Sequence, residues 1–155
     1  MELPLPRANS LPPWPPPSSS PPEGGGETSV PQSRAVVALV GDLFFASRIA
    51  ETLKRIGCPG AIDGRADLFQ KTVRSQLPAL VLIDMGIRGV DWAETVRGLR
   101  ADPALAPVPI VAFGPHRDLE ARELALAAGC TEVVANSKLV GDLPGIIRKY
   151  LRGDR

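Results

Sequence analysis

Short apolar runs alternate five times with segments of helical periodicity over residues 35–152, and this alternation limits the fold more than any other feature. The apolar runs are continuous, which is typical of strands that are covered on both faces. The sequence therefore predicts an α/β domain over 35–152, with a doubly wound, five-stranded parallel sheet and helices on both faces. The predicted strands are 35–40, 60–63, 79–83, 110–113 and 133–134.

The predicted helices each carry one apolar face. In the second helix, that face is assigned to Leu68, Val73 and Leu77. Pro144 is expected in the first turn of the last helix, where its missing N–H is not needed. The four helices before it are predicted at 43–56, 66–76, 91–100 and 117–128.

Residues 1–34 have a different composition from the rest of the chain. They contain 10 of the 17 prolines, together with runs of three serines and three glycines. Such a segment cannot bury enough apolar surface to offset the entropy of ordering, so a disordered or polyproline II tail is predicted. A proline-rich ligand for an aromatic groove is the alternative interpretation.

Charge and composition exclude several classes of protein. The chain has 18 basic and 17 acidic residues, so no basic excess indicates a nucleic-acid partner. No apolar stretch is long enough to span a membrane, and the first residues lack the pattern of a signal peptide. Cys58 and Cys130 with the single His116 cannot form a four-ligand zinc site. We therefore expect a cytoplasmic protein that binds neither nucleic acid nor membrane.

Asp84 directly follows the apolar run of the third predicted strand, residues 79–83. In an open parallel sheet, ligands bind at the carboxyl ends of the strands, so this carboxylate is the first candidate site residue. Asp42 follows the first predicted strand, and two such carboxylates can hold Mg²⁺ through oxygen ligands. Two structural alternatives stay open: Asp84 as a loop cap, and Asp42 as the N-cap of the helix that begins at Leu43.

Other polar residues follow the fourth and fifth predicted strands. His116, Ser137 and Lys138 are candidate contacts for a phosphate or another anion. Phe44 and Phe45 cannot share one helical face, so one ring is expected in the core and the other beside the site or on a partner surface.

The arrangement of Asp84, Gly86 and the pair Gly41-Asp42, with the Ala128–Cys130 step before the fifth strand, resembles a response-regulator receiver domain of the chemotaxis-regulator type. The resemblance covers about residues 35–152 and implies the flavodoxin-like strand order 2-1-3-4-5. It also implies that Asp84 is the phosphoacceptor. The implied Mg²⁺ site consists of Asp42, Asp84 and the backbone carbonyl of Gly86.

Three positions depart from the pattern of that family. Gly41 stands where an acidic residue is usual, Gly114 replaces the switch serine or threonine, and Asn136 replaces the lysine after the fifth strand. Lys138 lies two residues beyond the lysine position, and the proline that usually follows that lysine is missing. Any Mg²⁺ site is therefore expected to be weak, and the chain resembles an atypical receiver or pseudo-receiver.

Two functions follow from this resemblance. The first is a stand-alone signalling protein of a two-component or phosphorelay system, phosphorylated on Asp84 and contacting a sensor kinase or downstream target. The chain ends just after the fifth helix, so its output is expected to be protein contact through the fourth helix, fifth strand and fifth helix. The alternative is a phosphorylation-independent adaptor or scaffold. No catalytic residues are predicted, because no nucleophile–base pair and no phosphate-binding glycine motif is present.

Overall fold

The computed structural model describes residues 34–151 of the 155-residue chain. The predicted tail, apart from Arg34, lies outside these residues, as does Arg152. No helix in this range is long and apolar enough to cross a membrane. The strands are β1 Val36–Leu39, β2 Gly60–Asp63, β3 Leu80–Asp84, β4 Ile110–Gly114 and β5 Glu132–Ala135. The helices are α1 Leu43–Ile56, α2 Ala66–Gln76, α3 Trp92–Ala101, α4 Leu119–Ala128 and α5 Asn136–Leu151.

The five strands form one parallel sheet in the order β2-β1-β3-β4-β5, which confirms the predicted topology. Leu39 of β1 pairs with Ile83 of β3, and Asp84 pairs with Phe113 of β4. The carboxyl ends of β1, β3 and β4 therefore meet at one edge of the sheet. This register is what brings the candidate site residues together.

The core consists of one apolar cluster on each face of the sheet. Within β3, Val81 and Ile83 belong to the cluster that α2, α3 and α4 cover. Leu80 and Leu82 belong to the cluster under α1 and α5. All four side chains are fully buried, which explains why the sequence of this strand is continuously apolar.

Helix α2 is rotated relative to the prediction. Leu68 is 44% exposed, so its assignment to the inner face was wrong, and the neighbouring Phe69 is fully buried. Phe69 and Val73 are four residues apart and share the buried face. The large ring fills the space against β1, and Leu77 ends the helix in a left-handed conformation, half-buried.

Aspartates set the start of three helices. Asp42, Asp91 and Asp118 each accept a hydrogen bond from a backbone N–H in the first turn of α1, α3 and α4. An N-cap residue lies just outside its helix. For this reason α3 and α4 begin one and two residues after their predicted starts.

Helix α5 is interrupted at Asp142, whose φ of −140° and ψ of 31° are not helical. Pro144 follows this break and lies in the first turn of the second segment, as predicted. Residues 136–141, which precede the predicted last helix, also form a short helical segment. Its Leu139 is buried against the core, and this burial stabilises the extra turn.

Candidate functional site

Asp84 lies at the carboxyl end of the central strand β3 and is only 5% exposed. Its Oδ1 accepts a hydrogen bond from the N–H of Gly86 at 2.8 Å. Its Oδ2 accepts one from the N–H of Gly41 at 3.3 Å. Two backbone donors thus hold the carboxylate and connect the end of β1 to the loop after β3. Within residues 34–151 it is the least exposed acidic residue.

Asp42 caps helix α1. Its Oδ1 accepts hydrogen bonds from the N–H groups of Phe44 at 2.7 Å and Phe45 at 3.4 Å. This is the structural alternative that the sequence left open for this residue. Asp42 also lines a cavity of about 580 Å³ together with Gly41, Gly86 and Arg88.

An apolar side chain occupies the space beside Gly41. A Cβ atom on residue 41 would lie 2.9 Å from Cγ1 of Ile87, which is closer than such carbon atoms approach. Ile87 is buried and belongs to the apolar cluster under α2, α3 and α4. The volume that an acidic side chain would need at position 41 is therefore filled by isoleucine.

A second apolar side chain lies against Gly114. A Cβ atom on residue 114 would lie 2.7 Å from Cε and 3.3 Å from Cβ of Met85. Met85 is buried and packs in the same cluster as Ile87. Position 114 thus lacks a hydroxyl group, and carbon atoms of the Met85 side chain fill the space that a side chain there would use.

The sequence did not identify Met85 and Ile87 as site residues. Both lie within three residues after Asp84, and each lies against one of the two glycines that depart from the receiver pattern. A glycine in place of a larger residue leaves volume that a neighbour must fill. The two glycines in the sequence therefore indicate that neighbours must fill this volume, but the sequence does not identify which neighbours do so.

The candidate anion contacts are distributed over the edge of the sheet. Lys138 forms an ion pair with Asp142 inside α5, at 3.5 Å between Nζ and Oδ2, and both side chains are more than half exposed. Ser137 is also exposed. Neither residue lines the cavity beside Asp42. Lys138, predicted as an anion contact, therefore pairs with a carboxylate of its own helix.

Asn136, at the position of the family lysine, has a buried Oδ1 with no hydrogen-bond partner among the described residues. His116 is exposed. It lines a cavity of about 50 Å³ together with Met85, Gly114 and Arg122, separate from the larger cavity beside Asp42. The structure thus places His116 near the side chain that fills position 114.

The phenylalanines after Asp42 divide as the helical spacing predicts. Phe45 is half-buried and packs edge-to-face on Phe113, with ring centroids 5.2 Å apart. Phe44 is exposed, and the guanidinium of Arg48 lies 6.0 Å from its ring centre. One ring therefore joins the core, and the other lies at the surface next to the site.

The oxygen donors at this edge fit only a weakly held Mg²⁺. The available groups are the carboxylates of Asp84 and Asp42 and the carbonyl of Gly86. No cluster of three or more His, Cys, Asp or Glu side chains that could hold a metal exists in the described part of the chain. Mg²⁺ keeps several waters and often uses one or two carboxylates, so this donor set suits a largely hydrated ion.

Neither a protein-family model nor a curated protein matches this sequence. Solved structures do match. A response regulator from Hahella chejuensis is 19% identical with a TM-score of 0.70, covering 79% of this chain and 98% of its own. The receiver domain of a sensor histidine kinase from Pseudomonas aeruginosa, solved with magnesium in its active-site cleft, is 18% identical with a TM-score of 0.69 over 77% and 98%. A chemotaxis response regulator of Vibrio cholerae is 13% identical with a TM-score of 0.68 over 77% and 99%.

The chain therefore has the fold of receiver domains. At these identities, the similarity concerns the path of the backbone, and the chemistry of the site depends on the side chains described above.

Proposed function

We propose that this chain is a receiver-fold signalling module of a two-component system that acts through protein contacts without phosphorylation of Asp84. The observation that carries the proposal is the filling of positions 41 and 114 by Ile87 and Met85. At these two positions the receiver pattern has an acidic side chain and a hydroxyl group, whereas this chain has apolar atoms.

Phosphoryl transfer to a carboxylate depends on positioning and on neutralising the charge of the transferred group. Around Asp84, the neighbours at the two altered positions are the buried, apolar Met85 and Ile87. A phosphoryl group there would be partly desolvated beside groups that offer no compensating charge, which is costly. Lys138, the nearest lysine in sequence to the family position, pairs with Asp142.

In this proposal, Asp84 has a structural role. Its two carboxylate oxygens satisfy the N–H groups of Gly41 and Gly86. Buried polar groups need such partners, and hydrogen bonds to a charged acceptor are stronger than those between neutral groups. Asp84 therefore holds the loops after β1 and β3 in one arrangement, with no modification required.

Phosphorylation of Asp84 is the second candidate function, and one observation favours it. Asp84 lies at the carboxyl end of the central strand with Gly86 beside it, and a receiver domain of the same fold was solved with magnesium in its cleft. In that case Asp84, Asp42 and the carbonyl of Gly86 would hold the ion, which would neutralise phosphoryl charge. His116, Ser137 and Lys138 would be the remaining candidate anion contacts.

Intact-protein mass spectrometry after incubation with acetyl phosphate and Mg²⁺ distinguishes the two functions. We expect no gain of a phosphoryl group, while a phosphorylatable receiver domain treated in parallel gains one. In two-dimensional NMR, adding beryllofluoride in the presence of Mg²⁺ should likewise leave the resonances of Asp84 and Gly86 where they are with Mg²⁺ alone. A phosphoryl adduct that is lost in Asp84→Asn would overturn the proposal in favour of the second candidate.

A further inference from the structure

Helix α4 places its small residues inward and its large apolar residues outward. Ala125 and Ala128 are buried, whereas Leu119 is 64% exposed, Leu124 42% and Leu126 47%. Surface helices normally bury their leucines. Three of the six exposed large hydrophobic residues in the described part of the chain lie on this ten-residue helix. Such a concentration of apolar surface marks an interaction site.

Four residues of α4 form one stripe along the exposed face: Leu119, Arg122, Glu123 and Leu126. Their spacing of three, four and seven residues puts them on neighbouring turns of the same side. All four are exposed. Within residues 34–151, the side chains of Arg122 and Glu123 form no hydrogen bond or ion pair. Their charges are free to meet a partner.

The order of the stripe is apolar, cationic, anionic, apolar. Read in the reverse direction, the order is apolar, anionic, cationic, apolar. The reversed stripe therefore places an opposite charge against each charge of the original and an apolar residue against each apolar residue. A helix with this pattern matches an antiparallel copy of itself. This charge complementarity is the reason for choosing a second copy of the chain over an unrelated partner.

We propose that α4 docks on α4 of a second copy in an antiparallel pair, with the two-fold axis passing between Arg122 and Glu123. This symmetry places Leu119 of one copy against Leu126 of the other, and Arg122 against Glu123. Each contact occurs twice, as in any interface that uses the same patch on both subunits. The pairing does not depend on the state of Asp84, so it stands apart from the proposed function.

The dimer is expected to be weak. A helix of ten residues is about 15 Å long, and a pair of such helices buries an area at the low end of specific interfaces. We expect association in the micromolar range that depends on concentration. The exposed leucines supply most of the affinity, and the ion pairs determine the antiparallel register.

Sedimentation velocity of the full chain, from low micromolar to near-millimolar concentration, tests the pairing. We expect reversible dimers. Leu119→Ser with Leu126→Ser should weaken them by roughly a hundredfold, because both leucine–leucine contacts, with four side chains in all, are lost. Leu68→Ser is the matched control, since Leu68 is a leucine on another helix with an exposure close to that of Leu126, and it should leave the dimer unchanged.

Charge exchange tests the register. Arg122→Glu alone and Glu123→Arg alone each place like charges opposite one another twice, so each should weaken the dimer about tenfold. The double variant restores opposite charges and should recover wild-type association. Circular dichroism verifies that each variant is folded. A chain that stays monomeric at every concentration, or a double variant that fails to recover, would overturn the proposal.

Discussion

The Cε methyl group of Met85 lies 2.7 Å from the point where a Cβ atom on residue 114 would sit. A side chain at position 114 would therefore have to displace the flexible end of Met85. The same relationship connects Gly41 with Ile87, at 2.9 Å. At both positions the receiver pattern has a polar residue, whereas this chain has a glycine with an apolar side chain packed against it.

Alanine at either glycine should destabilise the domain, and the cost should differ between the two. Gly41→Ala forces Cγ1 of Ile87, a stiff branched side chain, to move, and we expect a loss of about 1–3 kcal/mol in the free energy of unfolding. Gly114→Ala mainly displaces the flexible end of Met85, so we expect a smaller loss. Urea denaturation of both variants checks the order.

The effect of Gly41→Ala should disappear in an Ile87→Ala background, because the atom that blocks the new Cβ is then absent. The two changes are in contact and should not be additive. An equal cost of Gly41→Ala in both backgrounds would mean that the contact with Ile87 is not the cause.

Removing the Asp84 carboxylate should lower stability even without any phosphorylation. Asp84→Ala leaves the N–H groups of Gly41 and Gly86 without their acceptor, and we expect a loss of about 1–3 kcal/mol in the free energy of unfolding. Asp84→Asn retains one oxygen acceptor and should lose less. Thermal unfolding in the absence of Mg²⁺ measures both. Identical midpoints for wild type and Asp84→Ala would argue against the structural role.

Much of the fold could be predicted because its signals are local. The continuous burial of strands such as β3 and the apolar faces of the helices follow from neighbours in sequence. The rotation of α2 could not be predicted, because the choice between Leu68 and Phe69 depends on the space against β1. The positions of Asp84 and Asp42 at strand ends were predictable, because they too follow from neighbours in sequence. The packing of Met85 on Gly114 was not, because it joins the ends of two strands that are distant in sequence.

Arg100 connects two loops, α3–β4 and α4–β5, at the opposite, amino-terminal edge of the sheet. Its Nε donates to the carbonyl of Gly129, and its Nη1 donates to the carbonyls of Ala106 and Val108, all at 2.7 Å. Its Nη2 donates to Oγ1 of Thr131 at 3.2 Å. Arg100→Met keeps the aliphatic stem but leaves these acceptors unpaired. We expect a loss of about 2–4 kcal/mol in the free energy of unfolding.

Arg97→Met is the matched control for Arg100, on the same helix. Arg97 pairs only with Glu94 at 2.9 Å, and both side chains are about half exposed or more. Exposed ion pairs contribute about 0–1 kcal/mol, so this variant should unfold close to wild type. If both methionine variants lose similar stability, the network around Arg100 does not explain its effect.

Cys130 predicts a dependence of stability on alkaline pH. Burial raises the pKa of its thiol from 9.0 to about 11. The folded state therefore keeps the proton while the unfolded chain loses it. This contribution is fully present below about pH 9 and is lost as the pH rises through about 11, which amounts to roughly 2–3 kcal/mol. Urea denaturation between these pH values should show a smaller decline for Cys130→Ala than for wild type.

Cys58→Ala provides the comparison for this pH series. Burial also raises the pKa of the Cys58 thiol, but the residue is only half-buried. Its removal should flatten the alkaline decline less than removal of Cys130 does. The reverse order would mean that Cys130 is not the group responsible.

Asp42 allows the cap role and the metal role to be separated. Asparagine is as good an N-cap as aspartate, so Asp42→Asn should keep the hydrogen bonds to Phe44 and Phe45 and unfold close to wild type. Asp42→Ala loses the cap and should cost about 1 kcal/mol. An amide is a poorer ligand for Mg²⁺ than a carboxylate, so a metal role predicts a different pattern: Asp42→Asn would reduce the stabilisation by Mg²⁺ while leaving stability without Mg²⁺ intact. We expect Mg²⁺ to change the unfolding temperature by the same small amount in wild type and in Asp42→Asn, because the carboxylate of Asp42 caps helix α1.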